Sequence, residues 1–107
     1  MNNTYDPVDE LIKLVKAKRS ENPADSVAVP AYTPDEFAKF FPGVEYAEFK
    51  RRQRQFIFAL CVAYIPAHFV KFVEIGYAGY MQFIAEQNLQ QDEASRQAYA
   101  EYLLKQK

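Results

Sequence analysis

The stretch from Phe56 to Ile84 constrains this chain most. Nearly thirty residues long, it is dominated by Phe, Ile, Val, Ala and Tyr, with His68, Lys71, Glu74 and Gln82 as its strongly polar members. A segment this apolar cannot lie wholly against water. In a chain of 107 residues, half of them apolar and 16% aromatic, self-burial covers only part of that surface. The excess points to contact with another molecule.

Helix signals flank the stretch. Asp6 followed by Pro7 reads as an N-cap with proline at the first helical position, and Val8, Leu11, Ile12 and Val15 then recur at i, i+3, i+4, i+7. The pattern predicts a helix over 7–19. Residues 20–32 contain two prolines and no helical period, which predicts an extended linker or arm. Thr33-Pro34-Asp35-Glu36 has the form of a capping box, opening a short helix that carries Phe37, Phe40 and Phe41 and stops at Pro42-Gly43. From Val44 the period is helical again and runs into the apolar stretch, where Pro66 predicts a kink or break into halves of about 44–65 and 67–89. A last helix over 92–105 is capped by Asp92, with Ala98, Tyr99, Tyr102 and Leu103 along one side.

The β-branched residues are scattered through helical patterns, and the Asn-Gly and Asp-Gly hairpin signals are missing, so no strand is expected. The predicted class is all-α. It is a single domain over 1–107, a small helical bundle with a long hydrophobic helix kinked or broken near Pro66 and shorter amphipathic helices around it.

Tyr64, His68, Lys71 and Glu74 fall three or four apart, with Gln82 two such steps further on, which on a helix makes a narrow polar stripe. An i, i+3 ion pair between Lys71 and Glu74, with His68 hydrogen-bonded to a neighbour, accounts for it; a proton relay is the sharper alternative. Gly76 and Gly79 offer a flat spot for close approach of another helix. The single cysteine, Cys61, sits in an apolar run and reads as a small buried hydrophobe, and one histidine falls short of a metal site. No phosphate loop, nucleophile elbow or paired-histidine motif occurs. The expected protein is therefore not an enzyme and takes no cofactor, metal or small-molecule substrate.

A binding protein remains, in the form of a small accessory subunit, adaptor or inhibitor attached to a larger protein assembly or to itself as a homo-oligomer. Phe37, Phe40, Phe41, Tyr77 and Tyr80 are the candidate anchors. The basic run adds Lys50, Arg51, Arg52 and Arg54 as candidate contacts, with nucleic acid as the weaker alternative because the net charge is only −1. The start of the chain has no secretory pattern, and a cytoplasmic location is expected. The other reading is a membrane-embedded accessory subunit in an inner or organellar membrane, with its N-terminus on the inner side. Residues 56–84 would then pack against a larger integral protein, since the basic cluster precedes the apolar run and Glu86, Asp92 and Glu93 follow it.

Overall fold

A computed structural model describes residues 7–21 and 26–106. The first helix, α1 (Val8–Glu21), buries Leu11 and Val15 on the predicted stripe, and its first backbone bond runs from Leu11 N–H to the Pro7 carbonyl. The proposed cap residue Asp6 lies outside the described residues. Strand β1 (Val27–Ala31) follows, then α2 (Pro34–Phe40), α3 (Tyr46–Val62), a 3-10 turn at Ala67–Phe69, strand β2 (Val70–Glu74), α4 (Tyr77–Gln87) and α5 (Glu93–Lys105).

The all-α expectation is thus corrected to a mixed α/β domain with a two-stranded parallel sheet. Val27 pairs with Val70, Val29 with Phe72 and Ala31 with Glu74. Parallel strands need a long crossover rather than a tight turn, and here α2 and α3 supply it, so hairpin signals carry no information about this sheet. Val-Lys-Phe-Val lies between Pro66 and Gly76, a short apolar run whose length and β-branched content suit a buried strand as well as a helix segment. The expected long hydrophobic helix is absent among the described residues. Residues 56–84 comprise the end of α3, a turn, β2 and most of α4. Of the predicted linker 20–32, residues 27–31 are β1, whose first four members are buried.

The sheet divides the core in two. Successive strand residues point to opposite faces. On one face Val27, Val29 and Val70 meet Leu11 and Val15 of α1 and Phe56 and Leu60 of α3. On the other, Ala28 and Ile75 join an aromatic cluster built from Tyr32, Phe37, Phe49, Tyr80 and Tyr99. Each fully buried Phe, Val or Leu contributes about 1.5–3 kcal/mol relative to exposure.

Local chemistry sets the helix ends. Thr33 Oγ1 accepts from Glu36 N–H at 3.3 Å, as the capping box requires. The Glu36 carboxylate does not reach back to Thr33 but across to α4, accepting from Tyr77 N–H at 2.7 Å, where the cap residue Gly76 has no side chain to offer. That bond, with help from Lys39, holds the Glu36 carboxyl below the usual range. At α5 the box is complete: Ser95 N–H donates to Asp92 Oδ1 at 2.8 Å and Asp92 N–H to Ser95 Oγ at 3.1 Å. Gly79 is a point of close approach, as expected of the flat spot, because a Cβ there would collide with the Tyr99 hydroxyl of α5.

Candidate protein-interaction surface

Helix α3 turns Phe49, Phe56 and Leu60 inward, a spacing that keeps one side on the core. The opposite side of its last two turns is also apolar, and nothing among the described residues covers it. Phe58 is 71% exposed, Val62 64% and Ile57 39%. Cys61 lies exposed beside them, correcting its expected burial: on this helix the residue following inward-facing Leu60 points away from the core.

The helix ends in a Schellman turn. Ile65 N–H donates to the Leu60 carbonyl at 2.9 Å and Tyr64 N–H to that of Cys61 at 3.1 Å. This turn needs a left-handed residue, and Tyr64 takes that place at φ 59°. Glycine is the usual occupant, since a side chain there costs about 1–2 kcal/mol. The Tyr64 ring recovers none of that inside the molecule, being 89% exposed. Beside it lies a depression of about 440 Å3 lined by Lys16, Arg19, Ser20, Ala63, Tyr64 and Ile65, with the Arg19 guanidinium 5.5 Å from the centre of the Phe69 ring.

The anchors inferred from sequence sit elsewhere. Phe37 and Tyr80 are each 1% exposed, so both are core side chains in the folded chain, and the Tyr80 hydroxyl lies 2.7 Å from Ser95 Oγ. Phe40 is half-buried against Tyr32, Tyr77 and Tyr80, and Tyr77 meets it edge-on at 5.2 Å. Phe41 is half-buried with the Arg96 guanidinium 5.0 Å above its ring. In the basic run, Arg51 and Arg52 both bind the Glu48 carboxylate, at 2.6 and 2.9 Å, and Arg51 first among them holds its pKa down. Lys50 donates to Gln53 at 3.1 Å, while Arg54 is exposed. Much of the run's charge is therefore met on its own helix, where such exposed pairs add little stability.

Lys71 and Glu74 are not the expected helical pair. Three residues apart on a strand, they point to opposite faces, and no ion pair joins them. His68 is exposed in the 3-10 turn, and no hydrogen bond to its side chain is formed among the described residues. Among the described residues no group of three or more His, Cys, Asp or Glu side chains could hold a metal, and no helix is long and apolar enough to cross a membrane.

The residues missed by the sequence reading, Phe58, Val62 and Tyr64, did leave a signal. Phe56–Val62 is apolar all the way around the helix, more than one docked side requires. The remaining helices do not suffice to bury both sides. Comparison of the chain with protein-family models, curated proteins and solved structures finds no match.

Proposed function

We propose that this protein is a non-enzymatic binding subunit that attaches to a larger protein through the outer side of α3, with Phe58, Val62 and Tyr64 as anchors. The observation that carries the reading is Tyr64. A tyrosine held in a left-handed turn where glycine would be less strained, with its ring in solvent, gains nothing for the fold and a great deal for a contact. Aromatic anchors of this kind dominate interfaces, and burying Phe58 or Val62 against a partner recovers about 1.5–3 kcal/mol apiece. The depression beside Tyr64, rimmed by Lys16 and Arg19, suits a partner that brings an acidic side chain next to an apolar one.

The test separates fold from contact. Tyr64→Gly should stabilise the isolated protein by about 0.5–1 kcal/mol, since relief of left-handed strain exceeds the added chain entropy. The same change, and Phe58→Asp with Val62→Asp, should abolish cross-linking to a protein partner through a photoreactive group at position 57, with the helical circular dichroism retained. Unchanged cross-linking by the folded variants would refute the assignment, and so would cross-linking to lipid in place of protein.

A further inference from the structure

The two edges of the sheet are treated differently. In β1, Ala28 turns its backbone away from β2 towards α5, where Glu101 accepts from its N–H at 2.9 Å and the Gln97 amide donates to its carbonyl at 3.1 Å. The next outward-facing position is Pro30, which has no N–H to leave unpaired. That edge is closed.

The β2 edge is open. Ile75 N–H donates to the Ala31 carbonyl at 3.0 Å, which fixes the alternation: Lys71, Val73 and Ile75 direct their backbone groups to β1, and Val70, Phe72 and Glu74 direct theirs outward. Among the described residues no hydrogen bond reaches the outward groups of Phe72 and Glu74. The Phe72 ring, 40% exposed, stands on this edge, edge-to-face with Phe56 of α3 and with the ring centres 6.2 Å apart. A groove of about 740 Å3 follows the strand, walled on its far side by Leu103 and Leu104 of α5.

We propose that β2 pairs through this edge with β2 of a second copy, antiparallel and centred on Phe72. An unpaired edge is a template for another strand. In this register every outward-facing residue meets another: Phe72 lies opposite the partner's Phe72, and Val70 opposite the partner's Glu74. The exposed rings gain a cross-strand aromatic contact. Lys71 and Glu74 cancel in charge along the edge, and a net charge of −1 offers little repulsion between copies. The product also closes. A four-stranded sheet ordered β1-β2-β2-β1 ends on both sides in β1, the strand that Gln97 and Glu101 already cover, so pairing stops at two. A peptide from an unrelated protein would leave its own outer edge unaccounted for.

The experiment is light scattering on the full chain across a concentration series. The expected mass is that of two chains, falling to one for Glu74→Pro, which removes an outward N–H and leaves the ladder to β1 intact. Glu74→Ala should stay a dimer. If Glu74→Pro loses its helical signal, Phe72→Glu serves in its place, setting two carboxylates opposite each other at the centre of the pairing. A wild-type monomer at every concentration overturns the proposal, as does a dimer that survives folded Glu74→Pro or Phe72→Glu. The proposal does not rest on the α3 surface: Phe58→Asp with Val62→Asp should leave the two-chain mass unchanged.

Discussion

Glu93 occupies the first turn of α5, where a carboxylate normally gains from the helix dipole, yet its side chain is buried and its carboxyl is pushed up. Burial is the main cause. Arg96, 3.1 Å away, pulls the other way, and Glu10 and Asp92 add to the rise. One carboxylate oxygen, Oε2, and Arg96 Nε find no hydrogen-bond partner among the described residues. A group raised in the folded state stabilises fully below its unfolded value, about 4.3 for Glu, and that contribution is lost as pH rises through the folded value. Glu36 and Glu48, whose carboxyls are lowered, contribute in the opposite sense: their share is present above that pH and lost as it falls. Replacing Glu93 by Gln keeps an acceptor for Arg96 and removes the titration. Thermal melts from pH 4 to 8 should therefore show the wild type losing stability on the alkaline side relative to Glu93→Gln, with the difference vanishing at the acid end. A constant offset between the two would assign Glu93 a purely steric role.

At the scale of elements, the closure of β1 by α5 is the contact with the clearest energetic consequence. Ala28 is fully buried, so Glu101→Ala leaves its N–H without a partner and should cost about 1–3 kcal/mol, read as a lower urea midpoint at unchanged slope. The helices were largely legible from sequence because their signals are local. Thr33 and Asp92 cap where the pattern says, and Leu11 and Val15 face the core from the predicted stripe. The strands were not, because a parallel pair carries no turn between its members and its hydrogen bonds join residues on either side of two helices. Polar residues three or four apart from Tyr64 to Glu74 imitated a helical stripe across a segment that turns into a strand. The aromatic surplus was legible and its location was not. Which phenylalanine of Phe37, Phe40 and Phe41 points inward, and whether Phe56 or Phe58 does, is decided by where the sheet docks.

On the scale of the molecule, two hydrophobic clusters share one thin sheet, and α5 touches both ends of the chain's history: it closes an edge made by residues near the start and packs Tyr99 and Ala100 into the aromatic cluster. Removing residues 93–106 should therefore abolish the cooperative thermal transition of the whole chain rather than trim one helix from it. Loss of only α5's share of the helical signal would show instead that the remainder folds alone. The bonds from Ala28 to Gln97 and Glu101 span 69 and 73 positions in sequence. During synthesis, then, the first strand leaves the ribosome long before either of the elements that satisfy it. It can pair with β2 once residues 70–74 have emerged, but the outward groups of Ala28 stay unmet until α5 follows, and contacts of such separation place folding on the slow side for a molecule this small.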